Sequence, residues 1–226
     1  MTPLPRELAT VLDAEPVEQR AFDWSRLAWD NQLHDLPDVR AVLGELPRAV
    51  NRAAAREAVL RELERDQVIG AFVVAMVWGY GNTGYGPSRV RWMLTGSKGA
   101  ASYRAAVLRD EVTAKLRGAV DVVREDGAAS AYAYMYGKGR VAYLGGAFFT
   151  KWLYFASAVD GVDAANAAPI LDQRVVAWLT SAAGTHLRPD RTASYRTYLD
   201  LLDAWGGPFG RTRVQVEQAI FELTRA

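Results

Sequence analysis

Apolar residues recur with a helical period along most of the chain, and two stretches depart from that period in ways that carry information. After Pro47, placed to open a helix in its first turn, a run rich in Ala, Arg, Glu and Leu predicts a helix to about Asp66. Val68 to Tyr80 is apolar on every face, which predicts a buried central helix rather than a surface one. The segment Gly79 to Pro87 holds four glycines and a proline, so a loop is expected there, with Ser88 capping a short helix over Arg89–Leu94. Helical patterns then cover about Ala100 to Glu125, an aromatic-rich stretch ending near Tyr136, Ala147 to about Val159, Gln173 to Ala183, Thr192 to Trp205 and Arg211 to Thr224. No strand ladder and no internal repeat emerges. The expected class is all-α, a single domain over residues 1–226 with many medium helices in non-bundle packing, built as one substantial core or as two lobes around a central cleft.

Composition narrows the chemistry. The chain of 226 residues has no cysteine, which excludes disulfides, Cys-ligated iron–sulfur clusters and Cys-type zinc sites. Its two histidines, His34 and His186, are far apart, so neither a His-rich metal site nor a Ser-His-Asp triad is expected. The first residues, Met1 to Glu7, lack the basic and apolar regions of a signal peptide, and the apolar run Val68 to Trp78 is too short to span a bilayer. A soluble cytoplasmic monomer without metal or organic cofactor is the expectation. Net charge is +1, but the distribution is uneven: residues 1–67 hold nine Arg against thirteen acids, residues 88–140 ten Lys and Arg against five acids. The basic middle is either a solvated helix face or a polyanion-binding surface.

The most informative stretch is Tyr143-Leu144-Gly145-Gly146-Ala147-Phe148-Phe149-Thr150-Lys151-Trp152-Leu153-Tyr154-Phe155-Ala156. It reads as a short helix, a glycine hairpin at Gly145 and Gly146, and a second helix whose first amides can hold a phosphate. Lys151 is the only charge between Arg140 and Asp160, and one of only four lysines against twenty-three arginines. At helical spacing its neighbours are Ala147, Phe148, Tyr154 and Phe155. Burial among them would lower its pKa and make the amine nucleophilic; alternatively the side chain snorkels to solvent. Asp172 lies 21 residues on, where Ala168-Pro169-Ile170-Leu171 meets a helix, and suits an N-cap, an acidic partner for Lys151, or both. Arg174 can pair with Asp172 or with a phosphate. Trp78, Trp92, Trp152 and Phe155 are core residues or base-stacking rings.

At these residues the chain resembles the helix-hairpin-helix DNA glycosylase superfamily, and most of all its 8-oxoguanine DNA glycosylase branch as found in small bacterial proteins. The resemblance rests on the glycine hairpin, on Thr150-Lys151 at the start of the following helix, and on Asp172 in Ile170-Leu171-Asp172-Gln173-Arg174-Val175, and covers about residues 140–180. It departs from the family at Phe149, which stands where the usual Leu-Pro-Gly-Val-Gly hairpin has its second glycine. The resemblance implies a bifunctional glycosylase and AP lyase of base excision repair, acting at the bacterial nucleoid on double-stranded DNA with a damaged or modified base such as 8-oxoguanine. Lys151 would attack C1′ and Asp172 would stabilise the sugar cation. The loop carrying Asn82 and Tyr85 would enter the duplex, with Arg89, Gly145, Gly146 and Arg174 as further DNA contacts. The rival readings are a DNA-binding protein that kept the hairpin and lost the chemistry, a helical interaction domain that binds no DNA, and a glycosylase for a modified phage base.

Overall fold

The computed structural model describes residues 2–16 and 18–225. Among them the chain forms α1 (Arg6–Asp13), β1 (Phe22–Asp23), α2 (Arg26–Gln32), α3 (Pro37–Glu45), β2 (Ala49–Val50), α4 (Arg52–Glu64), α5 (Val68–Tyr80) and α6 (Gly86–Thr95). Then follow α7 (Arg109–Glu125), α8 (Gly127–Tyr136), α9 (Gly146–Ser157), α10 (Gln173–Ala183), α11 (Thr192–Gly206) and α12 (Arg213–Leu223). The fold is all-α, as the periodicity predicts, with one two-residue antiparallel ladder that the periodicity does not show, pairing Phe22 with Val50. No helix among the described residues is long and apolar enough to cross a membrane.

Two helices occupy the centre. Every residue of α5 except Gly79 is buried, and the helix packs on α3, α4, α6, α7 and α9. In α9, Phe149 through Ser157 are all buried, against α4, α5, α7 and α8. The apolar residues around them join into one cluster running from Leu8 to Ile220, so both helices are held within the core. On the C-terminal side, α12 packs on α1, α10 and α11, and α11 reaches α8.

Several boundaries differ from the sequence expectation, each because a distant group takes the backbone. Helix α4 starts at Arg52, five residues after Pro47. The Pro47 carbonyl accepts the Trp24 indole N–H at 2.7 Å, Ala49 and Val50 pair with β1, and the Asn51 side chain caps the helix by accepting the Ala54 amide at 2.9 Å. The long helix expected over Ala100–Glu125 is interrupted. Only a 3-10 turn forms at Gly99–Tyr103, because buried Arg91 takes the carbonyls of Ser102 and Ala105, at 3.0 and 3.1 Å. The expected loop at Gly79–Pro87 shrinks to residues 81–85: α5 continues to Tyr80, and α6 begins at Gly86 with Pro87 in its first turn, leaving Ser88 inside the helix rather than capping it. Finally, residues 140–144 are a turn, not the short first helix of the hairpin. The amides of Gly137 and Gly139 close off α8 on the Ala133 and Tyr134 carbonyls, and Tyr143 adopts φ +62°. The helix preceding the Gly145-Gly146 hairpin is therefore α8.

Candidate active site

Lys151 sits in the second turn of α9 and is 7 % exposed. Its alkyl stem lies on Gly79 of α5, where a Cβ would stand 2.8 Å from the lysine Cδ, so only glycine leaves room for it. That gives a reason for a glycine near the C-terminal end of α5. The ammonium lies 5.2 Å from the centre of the Phe148 ring, donates to the Ala147 carbonyl at 3.0 Å, and approaches Asp172 Oδ2 at 3.5 Å. It does not snorkel to solvent. Loss of hydration on burial pushes its pKa below the ordinary lysine value; the nearby Asp172 and Glu217 carboxylates oppose this and the Arg52 cation adds to it.

Asp172 has one oxygen on the start of α10 and the other towards Lys151. Its Oδ1 caps α10 by accepting the amides of Arg174 and Val175, at 3.0 and 3.1 Å. Its Oδ2 faces Lys151. The cap fixes the carboxylate plane, so the second oxygen is aimed at the amine by the same contacts that start the helix.

The stretch leading into Asp172 is irregular and wholly buried from Ala167 to Leu171. Buried backbone outside a helix or sheet must find other partners, and here side chains supply them. The Ala168 amide donates to Ser157 Oγ at 2.9 Å and the Leu171 amide to Thr150 Oγ1 at 3.2 Å. The Pro169 carbonyl accepts from the Tyr195 hydroxyl at 2.7 Å and the Ile170 carbonyl from the Tyr198 hydroxyl at 2.9 Å. Thr150 therefore ties the residue before Lys151 to the residue before Asp172. Sequence reasoning missed Ser157, Tyr195 and Tyr198 as parts of the site. Their signal, polar groups within apolar helical patterns, is indistinguishable from ordinary core hydroxyls.

A second missed feature lies beside the lysine. Arg52 and Glu217 form a buried ion pair at 3.2 Å, 165 positions apart in sequence. The guanidinium lies 4.7 Å from the Tyr154 ring centre and 5.2 Å from that of Trp78, and its Nε has no partner. Burial pushes the Glu217 carboxyl above the usual range, and Arg52 works against that shift. Arg52 also lines a pocket of about 180 Å³ with Gln19, Asn51, Asp163 and Gln218.

The remaining expected residues fall in several places. Tyr85 is 59 % exposed, its ring edge-on to Tyr80 at 5.9 Å, and Tyr80 stacks on Phe148 at 4.0 Å. A continuous line of rings thus runs from the lysine to the exposed 81–85 loop. Asn82 is exposed in that loop. Gly145 occupies the N-cap position of α9 and nothing lies near its missing Cβ; a Cβ on Gly146 would stand 3.0 Å from the Tyr136 hydroxyl. Arg89 is exposed with its guanidinium 4.6 Å from the Trp92 ring centre. Arg174 is exposed and lies over Phe221 at 5.7 Å, so its side chain is turned from Asp172 and only its backbone amide reaches that residue. Trp78, Trp152 and Phe155 are core, and Trp92 is half-buried. The basic middle is partly consumed within the fold. Arg91 pairs with Asp35, Arg109 with Asp38, Lys115 with Glu111 and Arg117 with Asp66, and Arg124 donates to the Ala156 carbonyl. Among the described residues no cluster of His, Asp and Glu has the makings of a metal site.

No curated protein and no solved structure matches the chain. A family model does, described as "Putative 8-oxoguanine DNA glycosylase OGG-like protein", over residues 15–221. That span includes the Gly145-Gly146 hairpin, Lys151, Asp172 and Glu217, and runs from before β1 nearly to the end of α12. The chain belongs to the OGG-like 8-oxoguanine DNA glycosylase family.

Proposed function

We propose that the chain is a bifunctional DNA glycosylase that removes a damaged base through a covalent lysine intermediate, with Lys151 as nucleophile and Asp172 as its acidic partner. The observation that carries this reading is the approach of Lys151 Nζ to Asp172 Oδ2 at 3.5 Å, in a setting that excludes water from the amine and fixes the carboxylate by its other oxygen. A buried lysine gives up its proton more readily than a solvated one, which leaves a lone pair for attack.

In this mechanism the neutral amine forms a bond to C1′ as the C1′–N bond of the extruded nucleotide breaks, and the base leaves with the bonding electrons and takes up a proton. Asp172 stabilises positive charge on the sugar as that bond breaks, then accepts a proton from the new ammonium. As the sugar ring opens, Asp172 returns that proton to O4′ and the nitrogen lone pair forms the protonated imine. Removal of a C2′ proton then expels the 3′ phosphate and nicks the strand.

The surroundings suit that chemistry. Extrusion of a base costs a few kcal/mol and leaves a gap. Filling it falls to the Tyr85 ring, which the Tyr80 and Phe148 rings link to the lysine, together with Asn82 of the same loop. The first amides of α9, after Gly145, carry no side-chain cap and lie at the positive end of the helix dipole, where a DNA phosphate is favoured. The pocket at Gln19, Asn51, Arg52 and Gln218 offers hydrogen-bonding groups for the edge of a base. 8-Oxoguanine is the first substrate to try, on family membership.

The test is borohydride trapping on a duplex with one 8-oxoguanine, comparing wild type with Lys151→Gln and Asp172→Asn. Wild type should form a covalent protein–DNA adduct. Lys151→Gln should form none while still binding DNA. Asp172→Asn should keep the cap yet slow base release by about 10²- to 10⁴-fold, the range for loss of a positioned acid or base. An adduct on an abasic duplex but not on 8-oxoguanine would keep the mechanism and move the substrate to another oxidised or modified base. Absence of an adduct on either duplex would overturn the lysine mechanism.

A further inference from the structure

Tyr143 is unusual on two counts. It is 47 % exposed, and its backbone sits at φ +62°, a conformation costly for any residue with a Cβ and one that aromatic residues seldom adopt. Among the described residues the other non-glycine residue in that region is Asp66, a type that tolerates it. The strained turn holds the Tyr143 ring outward, edge-on to Trp92 of α6 at 6.1 Å and 68°. Trp92 is itself bracketed by two cations, the Arg89 guanidinium at 4.6 Å and the Lys98 ammonium at 5.7 Å from its ring centre. Neither cation forms an ion pair among the described residues, unlike Arg91, Arg109, Lys115 and Arg117 of the same basic segment. An exposed ring backed by a second ring that carries two cations is an arrangement that takes a base on its face with phosphates near the cations.

We propose that Tyr143, Trp92, Arg89 and Lys98 form a stacking platform for one unpaired nucleotide of the DNA, separate from the Lys151 pocket. A paired base within a duplex has both faces covered by its neighbours, so an exposed ring on a protein surface finds a free face only where pairing is lost. Base extrusion creates such positions. The platform is close enough to meet them. Trp92 lies seven residues beyond Tyr85, on the helix that starts directly after it, about 10 Å at 1.5 Å per residue. On the other side Tyr143 lies two residues before the N-cap of α9, the helix that carries Lys151. The inference rests on the reading of the chain as a DNA-binding glycosylase.

The test measures binding of a short oligothymidylate and of a fully paired duplex, together with base release on the lesion duplex at saturating protein. Tyr143→Gly removes the ring and relieves the backbone strain, so its melting temperature should stay at or above that of wild type. It should bind oligothymidylate about tenfold more weakly and the paired duplex within about twofold of wild type, the first figure being typical of one lost base–aromatic stack. Tyr143→Phe should bind both like wild type. Lys98→Gln should lower the salt dependence of oligothymidylate binding by about 0.7 in log–log slope, the amount for one phosphate contact on a single strand. Equal losses on both probes, or no loss on oligothymidylate, would overturn the platform while leaving an active glycosylase intact. A wild type that binds neither probe and releases no base would overturn the enzyme reading along with it.

Discussion

Lys151 is under opposed influences, and their balance decides both its reactivity and its cost to the fold. Burial disfavours the ammonium, Asp172 and Glu217 favour it, and the net effect is a pKa below the ordinary 10.5. Between the lowered folded value and 10.5 the unfolded chain holds the lysine proton more tightly than the folded one. Unfolding then takes up a proton, so stability rises with pH across that window, and below it the charged lysine weighs fully against the fold. Each unit of depression is worth about 1.4 kcal/mol. Replacement by the apolar, similarly long methionine removes this term. Thermal melts of wild type and Lys151→Met, taken in steps from neutral pH to 10.5, should show the variant more stable at neutral pH and the difference shrinking as pH rises. Single-turnover base release by wild type should climb over the same range, because the neutral amine is the reactive form. A difference in melting temperature that does not change with pH would mean that the lysine is not perturbed by its setting.

At the scale of elements, the buried strap 168–171 leads into Asp172, and Thr150, next to Lys151, tethers it to α9. The threonine hydroxyl donates to the Gly146 carbonyl at 2.8 Å and accepts the Leu171 amide. Thr150→Val keeps the shape and deletes the acceptor, leaving a buried amide without a partner at a cost of about 1–3 kcal/mol. Base release should fall as well, at temperatures where the variant is fully folded, because Asp172 follows Leu171. Thr150→Ser should restore both. A valine variant that is destabilised yet fully active would make the tether purely structural. This part of the molecule also marks where sequence reading stops. The helix α10 and its cap at Asp172 are legible, because periodicity and an N-cap residue are local signals. The burial of α5 is legible from its unbroken apolar run. The link between Lys151 and Asp172 came from resemblance, since a spacing of 21 residues fixes no distance. The interruption of the helix expected over Ala100–Glu125 is set by Arg91, whose reach to the Ser102 and Ala105 carbonyls depends on the tertiary fold. The same holds for Tyr195 and Tyr198, which serve carbonyls 26 and 28 positions away.

Across the whole molecule, the pair of Arg52 and Glu217 joins the first residue of α4 to α12 through the core, between the Trp78 and Tyr154 rings. Such a pair is weak evidence for stability, because two desolvated charges recover little more than they lose, whereas stranding one of them is severe. Glu217→Leu leaves the Arg52 cation buried alone and should cost about 3–5 kcal/mol, roughly a 10 °C drop in melting temperature for a chain of this size. Arg52→Met with Glu217→Leu removes both charges and fills the volume, so the double variant should melt near wild type. If the pair existed only to hold α4 on α12, the double variant would also excise bases normally. Three observations argue otherwise: Arg52 lines a pocket, its Nε has no partner, and the two charges shift the Lys151 pKa in opposite directions. The double variant should therefore be stable and slow, with affinity for undamaged duplex unchanged and base release reduced at saturating protein. Recovery of stability and rate together would assign the pair to the fold alone.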